Sequence, residues 1–453
     1  MSFSTKIPKK GKKLMNDKWI KLDNAAKIFP ATVSGPDTKV FRFSCELFED
    51  VDCEILQSAV TEAAEVFDVY NYVLKKGLFW YYFEKSELRP IIEKENRPVC
   101  GSLYSKETKE LLYNISYYQN RINLEVFHAL TDGTGALMFL ECIISKYLSK
   151  AHNIAEPELS FDASNYEKED DSFYRYYEED KKEKHQKTKH RKAYKLMGGT
   201  RFTDNRMGVI TGHIDLNAVL AQAHENNTTL TAYITSLLLC AVKDTMPMRA
   251  RNLPVVLTIP VNLRKHFSSS SARNFFSTVN IEYNFKNNPS DLKNVVEKVS
   301  RSLKTKLSDE SLEDLLSQYS SVENNIFARV APLVMKDVCL KIAHDYKMKE
   351  TSGTFSNIGR ASVPKELEPY VKAFDFCCAT KSIQACAVSY GNIFSVSFTS
   401  PYDNNDIQKN FFRKLTEKGI HVEVFTNLDT LNAKSLNNSK ERKLSDNGSK
   451  KKK

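Results

Sequence analysis

The sequence has no apolar run long enough to cross a bilayer as a helix, which takes about 18–20 residues. The best candidate, Leu230–Val242, is too short and contains the polar residues Thr231, Tyr233, Thr235 and Ser236. The lysine-rich N-terminus is not followed by the apolar segment of a secretory signal. We therefore expect a cytoplasmic protein without a membrane span.

The cysteines show no spacing typical of a metal site or a disulfide framework. The nine cysteines form no CxxC pair, their number is odd, and residues such as Cys142 and Cys240 lie inside apolar runs. Cys377 and Cys378 are adjacent, and we interpret them as packed thiols rather than nucleophiles. This usage favours buried, reduced cysteines over a disulfide framework. We predict no metal site.

The formal net charge of +10 is concentrated at the two ends of the chain. Residues 1–19 contribute +5 and residues 431–453 contribute +6, so the remainder of the chain carries −1. Polar, lysine-rich ends of this kind are typical of disorder. Because the body has no basic bias, we do not expect nucleic acid as a partner.

The 453 residues are too many for one ordinary core and predict two lobes of similar size. Strands and helices are mixed in each half, which indicates an α/β fold. The expected division is a disordered basic N-terminus over 1–18, a first lobe over 19–160, a charged crossover over 161–206, a second lobe over 207–428 and a disordered basic tail over 429–453. The crossover joins an acidic block to a basic block that begins "KKEKHQKTKHRK". A nucleic-acid site is the alternative interpretation of that block, but we expect a solvated linker or exposed helix.

The most informative segment is "VFHALTDGTGALMFL", from Val126 to Leu140. Apolar residues alternate along the strand that ends at His128, and an amphipathic helix follows. Asp132 stands at the N-cap position of that helix, and Gly133 and Gly135 permit a tight turn. The spacing leaves open a purely structural histidine with an ordinary cap. A dinucleotide fingerprint would need a third glycine where Met138 stands, and a metal site would need a second ligand at close spacing.

"HALTDG" resembles the HxxxDG signature of the chloramphenicol acetyltransferase-like superfamily, which includes peptide-synthetase condensation domains and alcohol acetyltransferases. Other segments resemble its alcohol acetyltransferase-like branch, and the resemblance extends from Trp19 to Asn427. These segments are "LDNAAKIFPA" at the start, "LTIPVNLRKHF" with "RNFFSTV" in the second half, and "TFSNIGR" at Thr354–Arg360. Two features depart from the superfamily: Phe127 replaces the first histidine of the condensation domains, and "FDFCCAT" stands where many members have DFGxG.

The resemblance implies a two-lobed fold with an active-site channel between the lobes and direct acyl transfer without a covalent intermediate. His128 would be the general base, and Asp132 would form a structural ion pair, for which Arg264 is our candidate partner. Gly133 would let the backbone turn, and Ser356 or Asn357 would line the channel or donate to the oxyanion. The donor would be an acyl-CoA, most simply acetyl-CoA, used as a co-substrate with no bound cofactor. The acceptor would be a small alcohol or amine.

Two alternatives stay open at this point. One is a non-catalytic scaffold or binding protein that keeps the fold, against which the intact His128, Asp132 and Gly133 argue. The other is a condensation-like enzyme that uses a carrier protein in trans, since no carrier domain is recognisable in the chain. The residues do not indicate the acceptor, the acyl length or the oligomeric state.

Overall fold

The computed structural model describes residues 19–23, 25–107, 109–159, 191–267, 272–314, 330–429 and 431. Most of the charged crossover and nearly all of both basic ends lie outside these residues, so the predictions made for those parts stay untested. Residues 191–206 of the crossover are described, and the solvated linker expected there is wrong for Ala193 and Leu196, which are buried against the second lobe. No helix in the described ranges is long and apolar enough to span a membrane. All nine cysteines are free, and six of them are buried.

A five-stranded sheet forms the first lobe. Its order is β12 (Val371–Cys378), β2 (Val40–Leu47), β7 (Arg121–Phe127), β6 (Tyr113–Tyr118) and β5 (Glu93–Lys94). All neighbours pair antiparallel except β5 with β6. Strands β2 and β7 are buried on both faces, and their apolar residues alternate with polar ones such as Arg42 and Glu125, which form an ion pair inside the lobe.

Two helices complete the core of this lobe and pack against each other, α2 (Cys53–Val66) and α3 (Gly133–Ala151). Asp52 caps α2 by accepting hydrogen bonds from two backbone N–H groups, as an N-cap aspartate does. A three-stranded sheet lies beside them, in the order β1 (Trp19–Lys21), β4 (Tyr81–Lys85), β3 (Tyr72–Lys76). The short helix α1 (Ile28–Thr32) follows β1.

A seven-stranded mixed sheet forms the second lobe. Its order is β10 (Phe276–Tyr283), β9 (Val255–Asn262), β11 (Gly353–Arg360), β13 (Gln384–Tyr390), β14 (Ile393–Ser400), β8 (Gly208–Asp215) and β15 (Val422–Thr426). Strand β11 is parallel to both β9 and β13, and the other pairs are antiparallel.

The second lobe carries further helices and a separate apolar core. These helices are α4 (Leu216–Glu225), α5 (Leu230–Thr245), α6 (Arg264–Phe267), α7 (Leu292–Lys306) and α9 (Asp406–Thr416), whereas α8 (Leu333–Lys347) packs against α1 of the first lobe. Helix α5 contacts both α7 and α9. Single 3₁₀ turns occur at Asp68–Asn71, Thr203–Asn205, Met248–Ala250, Met348–Glu350 and Glu368–Tyr370.

Some sequence-based boundaries differ from the structure. The aromatic run "LFWYYF" at Leu78–Phe83 predicts a strand, but the strand begins only at Tyr81, because Gly77–Trp80 is a turn closed by a backbone hydrogen bond of 2.9 Å. The sequence predicts Thr228 as the cap of α5, but the cap is Thr229, whose hydroxyl accepts from the N–H of Ala232, and Thr228 pairs with Ser300. These differences arise where adjacent residues are chemically equivalent or where a turn interrupts an apolar run.

One strand crosses the expected division of the chain. Strand β12 falls within the range expected for the second lobe, yet it pairs with β2 in the five-stranded sheet. The strands before and after it, β11 and β13, belong to the seven-stranded sheet. A single boundary near residue 206 therefore does not separate the strands of the two sheets.

Candidate active site

His128 directly follows β7 and lies against the second lobe. Its backbone N–H donates to the carbonyl of Lys39 at 2.8 Å, which extends the pairing of β7 with β2 by one residue. Its ring Nδ1 is 3.2 Å from the side-chain oxygen of Asn274, a residue of the second lobe. The ring thus contacts a residue 146 positions away in the sequence.

Aromatic side chains enclose the imidazole. Phe29 of α1 stacks on it with ring centroids 4.4 Å apart and planes 15° apart. Phe41 of β2 meets it edge-on at 5.0 Å, and Phe276 of β10 is tilted at 5.3 Å. Three elements from both lobes therefore define the orientation of the ring.

Burial lowers the pKa of His128 below its ordinary value of 6.5, because an apolar surrounding penalises the imidazolium. Three interactions raise this pKa instead: a hydrogen bond between the ring and the backbone of His128 itself, the negative charge of Asp132, and the contact with Asn274. Lys39 adds to the lowering. The result is a histidine that is neutral at pH 7, as a proton acceptor must be.

Asp132 uses its two carboxylate oxygens for two different tasks. Oδ1 accepts the N–H of Gly135 at 3.0 Å and so caps α3. Oδ2 is 2.7 Å from Nη1 of Arg264 and also accepts the backbone N–H of Phe275 at 2.8 Å. The expected ion pair is therefore present, and it joins the lobes in a site where both side chains are buried.

The glycines of the motif are required by close packing. Neither Gly133 nor Gly135 has a positive φ. A Cβ on Gly133 would lie 2.5 Å from Cδ1 of Ile358, and a Cβ on Gly135 would lie 2.2 Å from the carbonyl oxygen of Ala272. The turn expected at Gly133 thus needs no special backbone conformation, and the second lobe leaves no room for a side chain.

Ser356 and Asn357 are placed on β11, beside Ile358. The amide of Asn357 donates to the hydroxyl of Thr231 at 3.1 Å, and its oxygen accepts the N–H of Gly359 at 3.1 Å. Ser356 is buried. No hydrogen bond joins either side chain to His128 in the described part of the chain, so their oxyanion role stays a prediction.

Sequence reasoning missed Asn274, Asp23 and Phe29, although all three lie in segments that carry the resemblance. Asn274 Nδ2 is 3.3 Å from Oδ2 of Asp23, which is fully buried. No periodicity marks these residues, because their importance comes from contacts between distant segments. The signal available was the polar pair Arg273–Asn274 preceding an apolar strand.

The described residues contain no group of three or more histidine, cysteine, aspartate or glutamate side chains arranged to hold a metal ion. Two surface pockets of about 330 and 340 Å³ lie away from His128. One is lined by residues such as Asp68 and Lys85, the other by residues such as Gln408 and Phe412. The channel past the ring stays a prediction.

The two sheets, with the HxxxDG segment at their junction, define the two-lobed chloramphenicol acetyltransferase-like fold, and comparison with solved structures confirms it. TRI101 of Fusarium sporotrichioides, solved with coenzyme A and T-2, is similar with a TM-score of 0.62 and 9% identity over 90% of this chain and 99% of that one. TRI3 trichothecene 15-O-acetyltransferase of the same organism is similar with a TM-score of 0.58 and 11% identity, over 88% of this chain and 94% of that one. The first condensation domain of the CDA synthetase is similar with a TM-score of 0.54 and 13% identity, over 85% of this chain and 91% of that one.

At the level of sequence, no protein-family model matches the chain, and no curated protein matches it. The likeness is therefore one of fold.

Proposed function

We propose that this chain is an acyltransferase that moves an acyl group from a coenzyme A thioester to an alcohol or amine, with His128 as general base. The observation that carries the proposal is the position of the His128 imidazole, held between both lobes by aromatic rings and Asn274. The similarity to TRI101, a structure that contains coenzyme A, supports the donor class. O-acylation of an alcohol is the specific reaction that we favour.

In the proposed reaction the imidazole accepts the proton of the acceptor hydroxyl while its oxygen attacks the thioester carbonyl. The tetrahedral intermediate collapses with cleavage of the carbon–sulfur bond, and the imidazolium returns the proton to the departing thiolate. The products are an ester and free coenzyme A. A positioned general base contributes about 10²–10⁴-fold, and the remainder would come from substrate orientation and oxyanion hydrogen bonds.

Asp132 and Arg264 shape the loop in this scheme and transfer no proton. Their ion pair, together with the bond from Phe275 N–H, fixes the position of the loop that follows His128. We propose that donor and acceptor reach the imidazole from opposite sides of the lobe junction. Excluding water there would limit hydrolysis of the thioester.

The test is a screen of acetyl-CoA and longer acyl-CoAs against small alcohols and amines, followed by thiol release and product mass. His128→Ala should lower the transfer rate by about 10²–10⁴-fold while circular dichroism stays unchanged. His224→Ala, an exposed histidine on α4, is the matched control and should retain the full rate. A folded His128→Ala protein with more than about a tenth of the wild-type rate would exclude the general-base role.

Donor class needs its own comparison, because the fold is shared with condensation domains. Acyl-CoA and an acylated phosphopantetheinyl carrier protein should be offered at equal concentration. We expect transfer from acyl-CoA. If only the acylated carrier protein supports transfer, the donor is a carrier protein and not coenzyme A. If neither donor supports transfer, a binding or scaffold role is favoured.

A further inference from the structure

His128 has two ring nitrogens, and only the one without a hydrogen can accept a proton. A neutral imidazole carries one N–H donor and one lone-pair acceptor. Nδ1 lies 3.2 Å from the side-chain amide of Asn274. Because an amide presents an oxygen acceptor at one end and an NH₂ donor at the other, the orientation of Asn274 decides which nitrogen of His128 is protonated.

The other contacts of Asn274 fix that orientation. Its Nδ2 lies 3.3 Å from the carboxylate of Asp23 and 3.4 Å from the carbonyl oxygen of Ala129. Both partners are acceptors, so the NH₂ group must face them. Rotating the amide by half a turn would place its oxygen against two other oxygens. The amide oxygen therefore faces His128, and Nδ1 must carry the hydrogen.

Asp23 is itself held rigidly. Its Oδ1 accepts the backbone N–H of Ala26 at 2.7 Å, and its Oδ2 lies 3.7 Å from Nη2 of Arg273. The guanidinium of Arg273 also donates to the carbonyl of Lys21 at 2.6 Å. Asp23 is 0% exposed and Asn274 is 1% exposed, so water does not compete for these bonds.

From this geometry we infer that Asn274, oriented by Asp23, is a positioning residue that keeps His128 in the Nδ1–H tautomer and presents Nε2 as the base. This inference rests on the proposed function for the identity of the reaction, but the tautomer is a property of the protein alone. An amide oxygen at this place orients the ring without adding a charge. A carboxylate there would stabilise the imidazolium and so oppose release of the proton to the leaving thiolate.

The tautomer can be measured without any substrate. Nitrogen-15 NMR of histidine-labelled full-length protein distinguishes the two tautomers, and the His128→Ala spectrum identifies the His128 signals. We expect the Nδ1–H form in the wild type and a shift toward a mixture in Asn274→Leu. Asp23→Asn should produce a smaller shift in the same direction, because it frees the amide to rotate. Asn274→Asp should raise the pKa of His128.

Rates provide the second readout. Asn274→Leu should lower kcat by about 10²-fold with little change in KM for the acyl-CoA, as expected when only the base is mispositioned. In Asn274→Asp the acidic limb of the rate profile should move to higher pH. Asn123→Leu is the matched control, because Asn123 is another fully buried amide, bonded to Ser44 and Glu95 instead.

The outcomes separate this inference from the proposed function. An Nε2–H form in the wild type, or an unchanged tautomer in both folded Asn274→Leu and Asp23→Asn, would overturn the positioning role even if transfer is observed. The expected tautomer and its expected response in the variants would support it. Absence of transfer with every donor would then overturn only the proposed reaction.

Discussion

At the scale of single residues, Asp132 carries two separable functions on two oxygens. One caps a helix, and the other receives a guanidinium and a backbone N–H from the opposite lobe. Asparagine caps helices about as well as aspartate does. The cap and the ion pair can therefore be tested independently at one position.

Asp132→Asn should lose stability and activity together. The cap survives, but the buried guanidinium of Arg264 loses its counter-charge, a change that costs about 3–5 kcal/mol. Urea unfolding should show this loss, and the transfer rate should fall because the loop after His128 loses its anchor. Asp291→Asn, an exposed cap on α7, is the control and should be nearly neutral. Equal stability of the Asp132→Asn protein and the wild type would refute the structural role of the pair.

Residue by residue, the sequence predicted the site unevenly. His128, Asp132 and Gly133 stand within six positions, so a local pattern with a strand before and a helix after singled them out, and the resemblance to the HxxxDG signature gave them their expected roles. Arg264 was found only through the resemblance. Asn274 and Asp23 were missed because their contacts join segments about 250 positions apart, and no local period records such a pairing.

At the scale of elements, the loop that precedes α3 fits closely against the second lobe. The hydroxyl of Thr131 donates to the carbonyl of Ala272, and the amide of Asn262 donates to Thr134 at 3.1 Å. Helix α3 itself is buried almost throughout, including Glu141, whose pKa burial raises to about 7. Such a helix start tolerates little added volume.

Alanine at the two glycines in the first turn of α3 should have unequal effects. The Cβ at Gly135 meets a backbone oxygen that cannot move, whereas the Cβ at Gly133 meets the flexible end of Ile358. Gly135→Ala should therefore destabilise more, by about 1–3 kcal/mol, as overpacking does. Ile358→Val removes the clashing Cδ1 and should partly rescue Gly133→Ala in a double-mutant cycle. Strictly additive free energies of unfolding would show that the predicted clash is absent.

The elements themselves were largely predictable. The alternation of apolar residues predicted β7, and the amphipathic pattern after Asp132 predicted α3. The tight turn expected at Gly133 and Gly135 is the first turn of α3 instead, because packing against the second lobe makes these glycines helical although they favour a turn locally. Tertiary contact decided what local propensity left open.

At the scale of the whole molecule, β12 brings a charged group of the first sheet against the second. Asp375 of β12 lies 2.8 Å from Nε2 of His213 on β8 and accepts the hydroxyl of Ser395 at 2.5 Å. Burial alone would lower the pKa of His213, but Asp375 raises it above 6.5. His213 in turn holds the pKa of Asp375 below 3.8, against the opposing effect of burial.

The stability contributed by this pair should depend on pH in a defined window. The raised pKa of His213 stabilises the fold fully below about 6.5, and this contribution is lost as pH rises through the folded value. The lowered pKa of Asp375 stabilises above about 3.9 and is lost as pH falls through its folded value. The difference in Tm between the wild type and Asp375→Asn should thus be largest near pH 5–6 and shrink above pH 7. A difference independent of pH would indicate that only the bond to Ser395 matters.

The crossing of β12 also determines how the protein can be divided. A fragment ending at residue 206 would leave one edge of β2, "VFRFSCEL", without its neighbour. A strand edge with unpaired backbone groups is a template for aggregation. The remaining fragment would carry a strand whose partner is missing. Two such halves should be recovered in soluble form only when they are produced together. This fold is therefore suited to a split reporter, because the two fragments would reassemble by pairing β12 with β2 and not by docking of finished surfaces.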